Sequence, residues 1–348
     1  MLRKLPSVAA VLAAVLLGAC NSLGPAAVGG GRTAYNQVLA DSQSEQLLLN
    51  LVRLRYVDVP LFLEVTSVNT QYEFRGALDA SITGNLDDPL STYGDRLGAG
   101  VSATEKPTVT YVPLQGDDFV RRLMTPIDID TVALLSRSGW SSSRVLRVCA
   151  QSLSGLPNAP TAAGPTPVRP PQFREFQRAT ALLRSLQQES AAEFVRDAAG
   201  AYRLLVRDEG QDAAELCALL RVPSARDLIV TAGNAPVPGR LTVETRSVLG
   251  AMFYLAQGVE VPEGDALDGR VTVTRDFDWA ELTGDVLRIR SASRRPDDAA
   301  VAVRYRGHWF YVDDADLSSK ATFALLSYLF AIQSGGRSAL QPALTIPL

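Results

Sequence analysis

The chain contains a single histidine, His308, and a catalytic site with a histidine base would have to use it. A Ser-His-Asp arrangement needs a carboxylate against the imidazole ring and a serine within hydrogen-bond reach. Asp313 and Asp316 are close in sequence, but the strand predicted through His308 does not bring them onto its ring. The sequence also lacks the G-x-S-x-G pattern of a nucleophile elbow. We therefore predict a structural or surface role for His308, and no catalytic residue.

Metal and cofactor sites receive little support from the residue spacing. One histidine and the distant Cys149 and Cys217 do not form a familiar zinc ligand set. The acidic clusters at 276–281 and 313–316 do not follow the spacing of a calcium loop. The sequence has no P-loop and no G-x-G-x-x-G turn. Two-carboxylate glycoside hydrolysis stays open, because its residues can lie far apart in sequence. The prediction is no metal and no cofactor.

Four arginines alternate with apolar residues along two predicted strands in the last third of the chain. Arg288 and Arg290 belong to one strand, and Arg304 and Arg306 belong to the next one. If these strands pair, one sheet face carries all four guanidinium groups, which suits a phosphate or carboxylate. The alternative is a solvated face balanced by nearby acidic residues, where ion pairs contribute little. We take the four arginines as the predicted anion-binding face.

The remaining cysteine, Cys20, lies in a sequence pattern that predicts covalent modification of its thiol. Arg3 and Lys4 precede an uncharged apolar run over 8–17. Ten helical residues rise about 15 Å, half of a bilayer core, which is the length of a signal-peptide core. The run ends in Leu17-Gly18-Ala19-Cys20, which resembles the lipobox of bacterial lipoproteins. An ordinary secreted protein with an incidental cysteine is the alternative.

The lipobox resemblance implies a membrane anchor. Cleavage before Cys20 would remove the signal peptide, residues 1–19, and the thiol and new amine would carry acyl chains. Two or more chains anchor a protein stably. Asn21 replaces the aspartate that retains many lipoproteins at the inner membrane. The resemblance therefore implies a protein on the periplasmic side of the outer membrane, with the membrane as its partner through Cys20.

Composition predicts how the rest of the chain is divided. Residues 20–33 form the lipidated cysteine and a flexible Gly/Pro-rich tether. Residues 155–171 hold six prolines and predict an exposed linker between an N-terminal domain, 34–154, and a C-terminal domain, 172–348. With 47% hydrophobic and 20% charged residues, both domains are globular. The net charge of −3 gives no drive toward nucleic acid.

Hydrophobic spacing predicts an α+β fold with mixed helices and mainly antiparallel strands. Helices are expected over 35–56, 172–199 and 316–332, and a loop over 76–100. A tight turn at Arg306-Gly307 predicts a hairpin.

Cys149 and Cys217 fall on apolar faces of predicted helices. In an oxidising periplasm they could form a disulfide if the two helices pack together. Buried free thiols are the alternative, because free cysteine behaves as a small hydrophobe.

Three stretches are similar to segments of uncharacterised proteobacterial lipoproteins or envelope proteins. They are LLLNLVRLRYVDVPLFLEVTSV (47–68), VTYVPLQGDDFVRRLMTPI (109–127) and RYRGHWFYVDDADLSSKATFALLSYLF (304–330). The similarity covers most of the chain after Cys20. It brings no assigned activity and no catalytic residue, and its motifs are helix starts, strand edges and aromatic core positions.

The sequence thus predicts a lipid-anchored envelope protein with a non-enzymatic binding or assembly role, a protein partner in the envelope and no nucleic acid. A protein with this binding role is expected to have an exposed apolar or arginine-rich patch. A periplasmic hydrolase of an envelope polymer would instead need convergent carboxylates, or a serine near His308, in a deep pocket. A carrier of apolar or lipid ligands would need a large apolar cavity lined by the helices over 248–256 and 316–332.

Overall fold

The computed structural model of the chain describes residues 33–83, 94–159, 170–274 and 277–334. Helices and mainly antiparallel strands are mixed without regular βα alternation, so the fold is α+β, as predicted. The chain divides into two compact units. The smaller one is Leu61–Gln115, and the larger one takes the described residues on either side of it.

The smaller unit is one long antiparallel hairpin. It consists of β1 (Leu63–Thr83) and β2 (Gly94–Pro113). Leu63 lies opposite Pro113 at one end of the register, and Thr83 lies opposite Gly94 at the other. The predicted loop over 76–100 is wrong for its described ends, because both are paired strand. Gly, Asp and Ser indicate turns locally, but they do not show that two distant stretches pair.

The larger unit contains helices that pack on each other and on a sheet. The helices are α1 (33–55), α2 (Asp117–Met124), α3 (Ile129–Arg137), α4 (Ser142–Cys149), α5 (Arg174–Gln188), α6 (Gln211–Leu220), α7 (Val248–Ala256), α8 (Glu263–Leu267), α9 (Ala280–Thr283) and α10 (Leu317–Ser334). The first and last confirm the predicted helices. Asp316 caps α10, because its Oδ1 accepts a hydrogen bond from the Ser319 N–H at 3.0 Å.

A six-stranded mixed sheet forms the centre of this unit. Its strands are β3 (Ala150–Leu153), β4 (Leu156–Pro157), β5 (Ala192–Arg196), β6 (Tyr202–Val206), β7 (Asp227–Ala232) and β8 (Arg240–Thr245). Their order is β4-β3-β8-β7-β6-β5, and only β7 and β8 run parallel. The predicted helix over 172–199 is therefore too long. It ends at Gln188, and Phe194 lies in β5, where burial alternates with a period of two.

The predicted linker over 155–171 does not separate two bodies. β3 and β4 flank its start, and β3 pairs with β8 from the other side of the prolines. Asn158 and Ala159 are fully buried, whereas residues 160–169 lie outside the described part. Proline content predicted exposure, but this strand pairing joins the two predicted domains in one sheet.

A second, three-stranded sheet carries the last two predicted strands. Its strands are β9 (Arg290–Ala292), β10 (Ala299–Tyr305) and β11 (His308–Asp313), in the order β10-β11-β9. The hairpin predicted at Arg306-Gly307 joins β10 to β11. Both turn residues have positive φ, 46° and 90°, as a two-residue turn of this kind requires.

Arg246, just after β8, is a buried cation that binds backbone carbonyl groups. Its Nη1 donates to the oxygens of Arg147 at 3.1 Å and Ala150 at 2.8 Å, and its Nη2 donates to the oxygen of Asn158. The guanidinium lies 4.2 Å from the ring centroid of Tyr254. This side chain joins the end of α4, the β3–β4 segment and α7.

Candidate anion-binding groove

The four arginines of the predicted anion-binding face do not share one site. Arg290 lies on β9 and Arg304 on β10, and β11 runs between these strands. The predicted pairing of the two arginine-bearing strands is therefore wrong. Arg288 precedes β9, and Arg306 lies in the β10–β11 turn. Alternation determines which residues of a strand share a face, but it does not determine which strand is the neighbour.

Arg306 holds the end of α1 against the β10–β11 turn. Its guanidinium donates to Asp58 at 2.8 Å and lies 5.1 Å from the ring centroid of Tyr56. The Tyr305 hydroxyl donates to the same carboxylate. The hydrogen bond from Tyr305, with help from Arg306, lowers the pKa of Asp58 below its ordinary value. Arg306 therefore stabilises the fold through these contacts. Arg304 is an exposed residue on β10.

A groove of about 720 Å³ brings the other two arginines together with a third from α1. Arg55, Arg288 and Arg290 all line it. Most of its remaining lining comes from the segments 257–261 and 277–287, which contribute both apolar and polar residues. Of the four arginines that the sequence singled out, Arg288 and Arg290 thus line this groove, and Arg304 and Arg306 do not.

Arg55 was not among the predicted site residues. It is 7% exposed, and its Nη1 donates to the Thr272 carbonyl at 3.2 Å. Burial lowers its pKa to about 10, so the side chain stays charged at neutral pH. A signal was present, because Leu48, Leu51 and Arg55 follow the three- and four-residue spacing of a buried helix face. An arginine at a buried position of a helix face that is otherwise apolar indicates that a charged side chain is kept inside the protein there.

Arg288 lies just before β9 and Arg290 is its first residue, and both line the groove. The Arg288 N–H donates to Ser319 Oγ on α10 at 2.8 Å, which holds the backbone there. Its guanidinium is exposed and forms no ion pair within the described part of the chain. Arg290 pairs with Asp313 at 3.3 Å, and both side chains reach solvent. Such a pair is weak and can be exchanged for a ligand anion.

Two carboxylates also line the groove, and both accept hydrogen bonds from the protein. Glu260 accepts from the Ser291 hydroxyl at 3.2 Å. Asp278 accepts from the Ala280 N–H at 2.8 Å. Three cationic and two anionic side chains therefore line the groove, which leaves an excess of positive charge.

The groove also offers aromatic surface. Phe277 and Trp279 both line it, and their ring centroids lie 5.3 Å apart in an edge-to-face contact. Trp279 is held by a 3.0 Å hydrogen bond from its Nε1 to Thr274 Oγ1. The site thus combines guanidinium groups with a fixed apolar wall.

The groove depends on a close backbone contact at Gly258. The Ile289 N–H donates to the Gly258 oxygen at 2.9 Å, and the Glu260 N–H donates to the Ile289 oxygen at 2.8 Å. A Cβ atom at Gly258 would lie 2.3 Å from the Leu287 oxygen, far inside van der Waals distance. Glycine is therefore required where the segment carrying Arg288 approaches the segment 257–261.

Arg147 of α4 fixes the chain just before Arg288. It is buried, and its Nη2 donates to Asp285 at 2.7 Å and to the Leu282 carbonyl at 2.8 Å. Burial opposes ionisation of Asp285, but the hydrogen bond and charge of Arg147 bring the pKa of its carboxyl below the ordinary value. Asp285 is therefore ionised at neutral pH and keeps this segment in place.

His308, Cys149 and Cys217, the other residues that the sequence offered for chemistry, do not line this groove. His308 starts β11 opposite Tyr305 and is half-buried. Over the described ranges, no group of three His, Cys, Asp or Glu side chains is arranged to hold a metal ion. Cys149 and Cys217 are free thiols, and burial raises the pKa of the Cys149 thiol to about 12.

The predicted lipidation site, Cys20, lies outside the described residues, as do the signal peptide and most of the tether. Among the helices that are described, none is both long enough and apolar enough to cross a membrane.

Comparisons with protein families, with curated proteins and with solved structures found no match to this chain. The site is therefore interpreted from its own residues. The fold and the groove define an α+β protein with a cationic, partly apolar groove.

Proposed function

We propose that this protein is a lipid-anchored binding protein of the cell envelope. Acyl chains on Cys20 hold it to the periplasmic side of the outer membrane, where it works beside a protein partner. Its role is non-enzymatic, and its ligand occupies the groove. The binding role is supported by Arg55, Arg288 and Arg290, which line one groove, and the anchor is supported by the lipobox resemblance at Cys20.

The groove favours a small anion that has an apolar part. Guanidinium groups bind phosphate or carboxylate through paired, charge-assisted hydrogen bonds. Phe277 and Trp279 supply apolar contact beside them. A volume of about 720 Å³ falls within the range of small-molecule sites, roughly 300–1,000 Å³. A phosphate monoester and a carboxylate are the two anionic groups of a ligand that would fit the arginines of the groove.

Isothermal titration with hexyl phosphate, hexanoate and hexanol tests this assignment. We expect one of the two anions to bind and hexanol to bind more weakly, because the alcohol has no charge for the arginines. The Arg288→Gln variant should bind that anion about tenfold less tightly. Arg304→Gln is the matched control, because Arg304 is exposed and lies outside the groove lining, and it should bind like the wild type. Equal weakening in both variants, or no anion binding at all, would contradict the assignment.

Membrane fractionation tests the anchor. The wild-type chain should stay with the outer membrane after high-salt washing, because two or more acyl chains hold it. Cys20→Ala should release it, since no thiol then accepts the lipid. Cys217→Ala is the control and should stay bound. A Cys20→Ala protein that remains membrane-bound would show that the anchor is not at this residue.

A further inference from the structure

Strand β5 forms one edge of the six-stranded sheet, and among the described strands it pairs with β6 alone. Two hydrogen bonds show which of its residues bond to β6. The Arg207 N–H donates to the Ala191 oxygen at 2.7 Å, and the Asp197 N–H donates to the Ala201 oxygen at 2.8 Å. Since alternate residues of an antiparallel strand bond to the neighbouring strand, the odd-numbered residues from 191 to 197 are those that bond to β6.

The backbone groups of Ala192 and Phe194 are therefore directed away from β6. In the part of the chain that the structure describes, these N–H and C=O groups form no hydrogen bond. β5 contains no proline, and its register with β6 has no bulge, so two common protections of a sheet edge are missing. Two donors and two acceptors are thus free to pair with a further strand.

A cleft of about 430 Å³ lies against this edge, and we call it the β5 cleft. The four consecutive residues Ala192–Val195 line it, which corresponds to about 14 Å of extended chain. Its opposite wall comes from residues between 136 and 142, where α3 ends and α4 begins, and from Leu183 and Gln187 of α5. A cleft between an edge strand and helices is suited to an extended segment that pairs with the strand.

The β5 cleft carries one positive charge that the protein does not neutralise. Arg137, the last residue of α3, lines the cleft and is exposed, and it forms no ion pair with any described residue. Arg207 also lines the cleft, but its guanidinium pairs with Glu193. The free guanidinium of Arg137 therefore favours a segment that carries a carboxylate side chain.

A second copy of this chain fits the β5 edge poorly. In a two-fold antiparallel pairing of β5 with itself, Glu193 lies opposite or diagonal to its own symmetry mate, or opposite Asp197, depending on the register. Like charges across paired strands destabilise a sheet. The charges therefore favour a different protein as the occupant.

We propose that an extended, acidic segment of a protein partner adds to β5 as a seventh strand of the sheet. Backbone hydrogen bonds with Ala192 and Phe194 hold the segment, and Arg137 selects its acidic side chain. This inference rests on the proposed function in one respect, that the protein works beside a protein partner. It requires neither the anion-binding groove nor the anchor at Cys20.

Fluorescence anisotropy with the full-length lipidated protein in dodecyl maltoside tests this proposal. The labelled probes are the peptide Thr-Thr-Val-Glu-Val-Thr-Thr, the same peptide with Lys in place of Glu, and the Glu peptide N-methylated at its three central residues. We expect the Glu peptide to bind and each of the others to bind about tenfold less tightly, because one lacks the carboxylate and the other lacks backbone donors. No binding of the Glu peptide, or equal binding of its N-methylated form, would overturn the inference.

Arg137→Glu tests the selectivity of the β5 cleft. This variant should prefer the Lys peptide to the Glu peptide, because the charge in the cleft is reversed. Arg304→Glu is the matched control, since Arg304 is exposed and lies outside the cleft lining, and it should keep the wild-type preference. Arg288→Gln should bind the Glu peptide like the wild type. Weaker peptide binding in Arg288→Gln would assign the peptide to the anion-binding groove and contradict the inference.

Ala192→Pro tests the strand pairing itself. The Ala192 N–H does not bond to β6, so a proline is tolerated at this edge position while it removes one donor and obstructs a further strand. We expect about tenfold weaker binding of the Glu peptide and unchanged binding of the anion that occupies the groove. That combination also separates the two proposals, because a failure of peptide binding leaves anion binding and the anchor intact. If mass photometry instead shows a wild-type dimer that Ala192→Pro converts to a monomer, a second copy occupies the edge and the inference is wrong.

Discussion

The Arg246→Met variant is expected to lose about 3 kcal/mol of its free energy of unfolding. Arg246 is 2% exposed, and it donates to the carbonyl oxygens of Arg147, Ala150 and Asn158. Burial lowers its pKa to about 10, which leaves it charged at neutral pH. Two of these carbonyls lie at the end of α4, where a cation is favoured by the helix dipole. Methionine fills comparable space, but it leaves the buried Asn158 oxygen without its guanidinium donor.

Chemical denaturation of the full chain at pH 7 measures this loss. Arg304→Met is the matched control, because Arg304 is exposed on β10 and its replacement should change the free energy of unfolding by no more than about 0.5 kcal/mol. Similar small losses in both variants would show that the contacts of Arg246 with the carbonyl groups contribute little to stability.

Gly258→Ala is expected to destabilise the protein by about 1–3 kcal/mol and to weaken anion binding in the groove. The added Cβ would lie 2.3 Å from the Leu287 oxygen and 3.2 Å from the Leu255 oxygen. Neither atom is the end of a flexible side chain, so the backbone itself must move. That movement would separate the two segments that join at Ile289, and it would displace Arg288 and Arg290 from Arg55.

Thermal denaturation and titration with the anion that binds the wild type check both effects. Gly264→Ala in α8 is the control, because no atom lies within 4 Å of a Cβ there and its φ is an ordinary one. Alanine should be neutral or slightly stabilising at this helical position. If Gly258→Ala behaves like Gly264→Ala, the close contact at Gly258 does not determine the shape of the groove.

The features predicted correctly from the sequence are local ones. The helix at 33–55 follows from leucines spaced three and four apart, and the cap at Asp316 follows from its place before an apolar run. The turn at Arg306-Gly307 follows from two residues between alternating strands. Each of these patterns is satisfied by residues within a few positions of one another, so no knowledge of the distant chain is needed.

The groove, in contrast, could not be predicted from local sequence patterns. Arg288 and Arg290 were selected as candidate residues because of their alternation, yet Arg304 and Arg306 were assigned to the same face through a strand pairing that does not occur. Arg55 joins them from more than 200 residues away, and no spacing in the sequence links it to β9.

By itself, the sequence determined the α+β class, the helix at each end of the described chain and the turn between β10 and β11, because each depends on contacts between near neighbours. It also carries the lipobox resemblance on which the proposed anchor at Cys20 depends. Only the tertiary structure decided that β3 and β8 pair across the proline-rich stretch and that β1 and β2 extend into the two ends of a glycine-rich one. It likewise decided that β11 separates the arginines. The physical reason is that strand pairing and burial are settled between residues far apart in the chain, where local pattern gives the face of a strand but not its neighbour.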